Sequence, residues 1–328
     1  MEIEGKRFVV FGGAGFVGSH VVDRLLAEGA AEVVVFDNLV RGKRDNLAGV
    51  AGDARLRFVE GTITDPAAVQ KVVQGVDGVF LLAALWLYEC LHEPRKAVEV
   101  NVLGTFNVIE ACKKAGVGRV VFSSSASVYG DAVEVPMTED HPFNNRTMYG
   151  ATKIAGEQFF RAFHEMHGLE YVGLRYMNVY GPRMDDRGTY VSVIMKVMDK
   201  IRSGERPVIF GDGSQSYDFV HVEDVARANV LAMQATTTDR FYNVGTGVRT
   251  TINELVHTLL EEMGSDIEPE HRPQEQSFVN HRVGSTEQST KELGFTAQIG
   301  LQAGLASVVR WYAGQQDAIA ASQSERSD

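Results

Sequence analysis

The sequence predicts an α/β protein: a doubly wound parallel sheet with a smaller α/β lobe beside it. Three observations predict it. Short β-branched runs alternate with helix-spaced stretches through residue 176. A glycine-rich turn joins the first run to the first helix, and the second run ends on an acidic residue, Asp37. Strand–helix alternation pairs strands in parallel and covers both faces of the sheet with helices. Right-handed crossovers then favour the doubly wound arrangement.

The strands are expected at 7–13 (RFVVFGG), 32–37 (EVVVFD), 56–61 (LRFVEG), 77–84 (DGVFLLAA), 119–125 (RVVFSSS) and 170–176 (EYVGLRY). Helical spacing marks 16–29, 95–115 and 150–167. Beyond Tyr176 the order loosens. Short runs at 207–210 (PVIF) and 240–245 (RFYNVG) are interleaved with helical stretches at 189–203, 222–235 and 251–263, and no repeat of fixed period appears. The expected division is therefore 1–177, rejoined by 219–245, as the dinucleotide-binding unit. Residues 178–218 and 246–315 make the second lobe, over the carboxyl ends of the strands. The polar end, 316–328, reads as a flexible tail.

Composition narrows the function. A chain of 328 residues is ample to bury a core. Lysine and arginine number 32 against 43 aspartate and glutamate, a net charge of −11. That balance argues against nucleic acid, whose phosphates need a basic face. It leaves room for an anionic small ligand in a locally positive pocket. With 44% hydrophobic and 23% charged residues, disorder is excluded. Cys90 and Cys112 cannot form a disulfide framework, which fits a reducing, cytoplasmic setting. The start, MEIEGKRFVV, lacks the basic-then-apolar order of a secretory signal. The apolar stretch VFLLAALWL at 79–87 falls far short of the roughly 20 residues of a membrane span. It reads instead as a buried strand running into a loop.

Gly12, Gly15 and Gly18 form GGAGFVG between a strand and a helix that starts near Phe16. Glycine is needed there for a tight turn, for close backbone approach to a pyrophosphate, and for close packing of helix on sheet. The helix would aim its positive end at the phosphates. A glycine triplet alone also suits an ordinary turn; the strand–turn–helix context and Asp37 single out a dinucleotide. A carboxylate at Asp37 suits a ribose diol and repels a 2′-phosphate, so NAD is expected rather than NADP. Arg41, Lys43 and Arg44 follow, and read as a solvated loop.

A serine run, SSSASVYG at 123–130, follows the fifth strand, and MYGATK at 148–153 opens a helix. Tyr149 and Lys153 are four apart and share a helix face. A free phenol, with a pKa of about 10, is too weak a base at neutral pH. A neighbouring ammonium favours the phenolate, and a cationic nicotinamide would add to it. The expectation is a phenol held acidic by Lys153, with a serine hydroxyl bonding the same substrate oxygen.

These motifs resemble the extended short-chain dehydrogenases/reductases, and within them the NAD-dependent nucleotide-sugar epimerases and dehydratases. The resemblance runs from Arg7 to about Tyr312 through GGAGFVGSH, FDNL, EVNVLGTFNVIEA, FSSSASVYG, YGATKIAGE, LRYMNVYGPR and SYDFVHVEDVA. It implies a Rossmann fold, bound NAD, and Ser125, Tyr149 and Lys153 as the catalytic set. It further implies cofactor contacts from Gly12, Gly15, Phe16, Val17, Gly18, Asp37, Asn38, Ile63, Ala83, Ala84 and Asn101, joined by Tyr149 and Lys153. Substrate contacts are implied for Ser125, Tyr149, Asn178, Val208, Phe210, Tyr217 and Arg272. Arg282 competes with Arg272 for the diphosphate, and the wall at the sugar's C2 is expected between Phe278 and Arg282. Two positions depart from the family pattern: Thr62 stands where an aspartate is usual, and Tyr217 where many 4-epimerases have arginine.

The family's dehydratases carry Asp then Glu just after the catalytic hydroxyl, because eliminating water needs both a base and an acid. Here Ala126 and Ser127 occupy those positions. Decarboxylases often carry glutamate at the second. The reaction the inventory supports is inversion at C4 of a UDP-hexose through a transient 4-keto sugar, with Tyr149 as base. A reductase or other epimerase of the superfamily is the alternative enzyme. A non-catalytic dinucleotide-sensing scaffold is the alternative from another class, disfavoured because it needs no base.

His164 and His167 with Glu165 lack the spacing of a zinc-protease helix and read as surface. Ile154, Phe159, Phe160, Phe163 and Met166 exceed one buried stripe of the helix 150–167. With the resemblance, this implies a homodimer packed through that helix. Trp86, Tyr88 and His92 are candidates to line a sugar pocket or to pack as a loop.

Overall fold

The computed structural model describes residues 1–185, 192–273 and 281–324, with side chains to residue 315. Fourteen strands are described. In chain order they are β1 (Arg7–Phe11), β2 (Glu32–Asp37), β3 (Leu56–Glu60), β4 (Gly78–Leu81), β5 (Arg119–Ser125), β6 (Tyr171–Tyr176) and β7 (Asn178–Tyr180). They continue as β8 (Val208–Phe210), β9 (Ser216–Tyr217), β10 (Phe219–His221), β11 (Arg240–Val244), β12 (Thr250–Thr251), β13 (Glu270–Arg272) and β14 (His281–Arg282). The helices are α1 (Phe16–Ala27), α2 (Pro66–Val72), α3 (Leu87–His92), α4 (Pro94–Ala97), α5 (Thr105–Ala115) and α6 (Met148–His167). After them come α7 (Val193–Arg202), α8 (Val222–Gln234), α9 (Ile252–Glu262), α10 (Glu287–Leu293) and α11 (Leu301–Ser324).

Seven strands form one parallel sheet in the order β11-β6-β5-β4-β1-β2-β3. The chain leaves β1 toward β2 and β3, then crosses back to β4. This reversal between β1 and β4 opens a crevice at the carboxyl ends of the strands. Strand residues alternate between two cores, as a period of two requires. Phe8, Val10, Val33 and Val35 pack with Val21, Val22 and Leu25 of α1 and Val225 of α8. Val9, Phe11, Val34 and Phe36 pack with Val69 of α2, Ile109 of α5 and Phe160 of α6. A third core lies outside the sheet, where Met195 and Met198 of α7 meet Leu255 and Leu259 of α9 and Leu305 and Val308 of α11.

The structure departs from expectation in four places. The single helix expected over 95–115 is α4, a π-helical turn at Val98–Gly104, then α5. A helix, α3, stands where a loop was expected after the fourth strand. The backbone of α11 continues to Ser324 through the expected tail, whose alanines and glutamines are strong helix formers. The helix expected at 189–203 is described from Val193, and residues 186–191 lie outside the described residues.

Candidate active site

The crevice is a cleft of about 640 Å³ between the sheet's carboxyl edge and the second lobe. Its floor is the glycine turn. Gly12 has φ +80°, and a Cβ there would lie 2.8 Å from the backbone nitrogen of Ala83 on the neighbouring strand's extension. A Cβ at Gly18 would collide with the carbonyl of Gly12. Gly12 and Gly18 are thus closed to any side chain, and α1 starts at Phe16 with Gly15 as its cap and no side-chain capping bond. Its first N–H groups point into the crevice without a side-chain partner, a ready seat for a pyrophosphate. The residues present fit a dinucleotide on this geometry.

Asp37 closes β2 beside the turn. One carboxylate oxygen accepts from the backbone N–H of Ala14 at 3.0 Å, the other from that of Leu39 at 2.8 Å. Burial raises its pKa, and these backbone donors oppose the rise. Asn38, Thr62, Ile63, Ala83 and Ala84 line the same cleft, as do Phe16 and Val17. Thr62 bonds Thr64 side chain to side chain at 2.9 Å. Arg41 and Arg44 are not merely solvated: Arg44 pairs with Glu60, and Arg41 with Asp185 and Glu89.

Ser125, Tyr149 and Lys153 meet on the cleft's wall, where β5 ends and α6 begins. Thr147 caps α6 by accepting from Gly150 N–H, so Tyr149 sits in its first turn. The Tyr149 ring packs against Leu85, Cys90 and Ala97, and its hydroxyl faces that of Ser125, which donates to Ser127 at 3.1 Å. Lys153 is buried. Its ammonium donates to the carbonyl of Ser123 at 2.7 Å and lies 5.6 Å from the centre of the Tyr149 ring. Burial pushes the Lys153 pKa down to about 8.

Beside Lys153 the phenol is nonetheless held in its neutral form by burial. Burial pushes Tyr149 up to about 12, and what opposes it is the Ser125 hydroxyl and the charges of Arg41 and Arg282. The physical reason is that burial takes the phenol out of solvent and so disfavours its charged form.

Two buried supports fix this wall. Glu157, one turn beyond Lys153, takes a bidentate pair from Arg175 at 2.9 and 2.7 Å and accepts from Ser124 at 2.6 Å. Asn101 does not line the cleft. It grips both backbone groups of Leu85, accepting from N–H at 2.7 Å and donating to C=O at 2.8 Å, and donates to Thr152 at 3.1 Å. It therefore ties the segment after β4 to α6, and the π-helical turn is what aims it there.

The substrate-side residues divide. Asn178 lines the cleft. Val208, Phe210 and Arg272 stand together on the β8–β13 pair, outside its lining, and Arg272 is exposed and paired with Glu270. Tyr217 is half-buried on β9, also outside the lining. Directly across from it on β14 is Arg282, which does line the cleft. Burial lowers the Arg282 pKa, and its buried Nε has no hydrogen-bond partner. Of the two rival arginines, the structure brings Arg282 to the site and leaves Arg272 in solvent. No motif marks Arg282; only its register opposite Tyr217 reveals it. Phe278 lies outside the described residues.

Comparison with known proteins agrees with this geometry. The family model described as "NAD dependent epimerase/dehydratase family" matches residues 8–245. The chain is 36% identical over 306 residues to a putative UDP-glucose 4-epimerase of Methanocaldococcus jannaschii, covering 92% of this chain and 97% of that one. It is 35% identical to a dTDP-glucose 4,6-dehydratase of Streptomyces griseus, over 93% of each. Its fold is similar, with a TM-score of 0.90 at 34% identity, to a UDP-N-acetylglucosamine 4-epimerase from Methanobrevibacter ruminantium solved with UDP-N-acetylmuramic acid. That match covers 95% of this chain and 99% of the other.

Proposed function

Because the chain belongs to the NAD dependent epimerase/dehydratase family, we propose that it inverts C4 of a UDP-hexose with NAD held in the crevice. The observation that carries the choice is Ser125, Tyr149 and Lys153 on one wall with Ala126 and Ser127 beside them. Elimination of water needs an acid and a base that alanine and serine cannot supply. Epimerisation needs one base.

Tyr149 holds that base at its hydroxyl oxygen. It takes the proton of the sugar's C4 hydroxyl and later returns it, so the net proton balance is zero. Ser125 donates to the same sugar oxygen and keeps it in line with Tyr149. The NAD that the glycine turn and Asp37 would hold would supply hydride exchange at C4, with no net redox change. Lys153 adds positive charge at the wall, and the cofactor's own charge completes what burial withholds from the phenol. Arg282 is the counter-charge for the diphosphate in place of the exposed Arg272, with Asn178 on the lining of the same cleft. Val208, Phe210 and Tyr217 remain candidates for the nucleotide end, on the strands that flank this opening.

The same reading divides the chain at 177, with 219–245 returning to the sheet and 178–218 with 246–315 forming the sugar-nucleotide lobe. It places the enzyme in the cytoplasm, supported by two buried free thiols, Cys90 and Cys112. Among the described residues no helix is long and apolar enough to cross a membrane. It also makes the chain a homodimer. Phe106 of α5 is exposed and meets Phe159 and Phe163 of α6 edge-on, with Leu103 and Met166 exposed nearby.

The test is incubation with UDP-, dTDP- and GDP-sugars without added reductant. One UDP-sugar should be converted to its C4 epimer, and Tyr149→Phe should lose at least about a thousandfold in turnover while still binding NAD. Consumption of external NAD(P)H, or unaltered turnover by Tyr149→Phe, would refute the reading.

A further inference from the structure

We propose that Arg41 is a clasp over the cofactor crevice and sets how fast NAD enters and leaves. The proposal rests on the reading of the crevice as a dinucleotide site and not on which sugar is turned over.

The sheet order puts β2 and β4 on either side of β1. Segments that leave the carboxyl ends of β2 and β4 therefore flank the glycine turn that follows β1. Arg41 lies on the first of these segments and Trp86 on the second. The Arg41 guanidinium lies 4.2 Å from the centre of the Trp86 ring. This contact joins the two banks across the crevice. Two carboxylates fix the guanidinium from further elements: Asp185, beyond β7, at 2.6 Å, and Glu89 of α3 at 3.8 Å. Arg41, Trp86 and Asp185 all line the cleft.

The backbone that carries Arg41 is itself tied to the turn. Lys43 N–H donates to the carbonyl of Ala14 at 3.0 Å, and the Asn46 side chain donates to the same oxygen at 2.9 Å. A Cβ at Gly42 would lie 2.7 Å from the Asp37 carboxylate, so the loop passes hard against the site. Opening the crevice thus means separating a stacked cation from an indole and from two carboxylates, while the loop base stays fixed. A cation held over an aromatic face and paired at its rim is a local, reversible fastening.

Such a fastening suits the chemistry. When a hydride is taken and returned within one turnover, the cofactor need not exchange, and a slow exit keeps the reduced form with its sugar. Trp86 takes no part in proton transfer in this scheme, and Arg41 only adds positive charge near Tyr149, so the clasp is read from NAD entry and exit and not from turnover.

The test is the association and dissociation of radiolabelled NAD with the full chain, by rapid filtration. A clasp slows both directions. Arg41→Gln should speed entry and exit together by about tenfold, leaving the dissociation constant within about threefold. Trp86→Leu should speed both directions by a smaller factor, since the two carboxylates still hold Arg41, and the double variant should be no faster than Arg41→Gln. Arg41→Lys, which keeps the charge without the planar stack, should fall between parent and Arg41→Gln. Rates unchanged in both single variants would overturn the proposal. Faster exit with unchanged or slower entry would also overturn it, since that is the signature of an arginine bound directly to the phosphates. A parent chain that binds no NAD would overturn the dinucleotide reading beneath it.

Discussion

Lys153 is a buried cation, and its cost can be read from the pH dependence of stability. It is 5% exposed, with one ammonium donor on the Ser123 carbonyl at 2.7 Å. Desolvation outweighs the attraction of Cys90 and Glu157, and the pKa falls from 10.5 to about 8. At about 1.4 kcal/mol for each tenfold in proton affinity, that fall corresponds to about 3 kcal/mol. The sign follows from linkage. Below pH 8 both folded and unfolded chains hold the proton, and the folded chain bears the full cost. Between about 8 and 10.5 the unfolded chain keeps a proton that the folded chain has released, so stability rises with pH. Lys153→Met removes this titration at similar side-chain length. The stability of Lys153→Met relative to the parent should therefore drop by about 2 to 3 kcal/mol between pH 7 and pH 10. Urea unfolding of both chains at each pH measures it, with equal denaturant slopes required for the comparison. Titrations that Lys153 does not touch, including the raised Cys112 thiol, cancel in the difference, and Cys90→Ala in both chains removes the one raised thiol that the ammonium acts on. A relative stability that stays constant within about 0.5 kcal/mol over that range would refute a desolvated ammonium at this position.

Two further outcomes follow from the same wall and its outer face. Glu157→Gln leaves the Arg175 guanidinium, 2% exposed, without its counter-charge, and should destabilise the chain by about 3 to 5 kcal/mol in urea unfolding; a loss below about 1 kcal/mol would contradict the pairing. Light scattering at micromolar concentration should give twice the chain mass, and Phe106→Glu, on the exposed aromatic face of α5 and α6, should give the single chain; a monomeric parent removes the dimer.

Much of the sheet was legible because it obeys a local rule. Runs such as EVVVFD are apolar on both faces, and only a parallel strand covered on both sides satisfies them, so β1 to β6 and β11 fall where expected. The glycine turn was legible for a similar reason: no other residue fits the Gly12 and Gly18 backbones. The missed features depend on partners distant in sequence. The π-helical turn at Val98–Gly104 has the apolar spacing of an ordinary helix, and what accompanies it is the Asn101 grip on Leu85, sixteen residues earlier. Helix α3 followed an apolar stretch that read as strand and loop. Arg282 was indistinguishable from Arg272 until β9 and β14 were seen side by side.

The burial of Tyr149 bears on how the wall works. Helix α6 carries Tyr149, Lys153 and Glu157 at successive four-residue steps, so phenol, ammonium and carboxylate lie in a row from the cleft inward. The carboxylate is already neutralised by Arg175 at 2.7 Å, and this leaves less of its charge to hold the proton on Lys153. Burial therefore acts on both neighbours in opposite senses: it drives the lysine toward its neutral form and keeps the phenol in its own. The phenol's shift costs proton transfer in the free chain, and positive charge arriving beside it relieves that cost. The cationic ring of NAD would be such a charge, whereas a diphosphate paired to Arg282 would act the other way, by cancelling a charge that lowers the phenol's pKa. On the proposed reading the wall is a poor base until the cofactor is in place, and the phenolate forms in the loaded crevice.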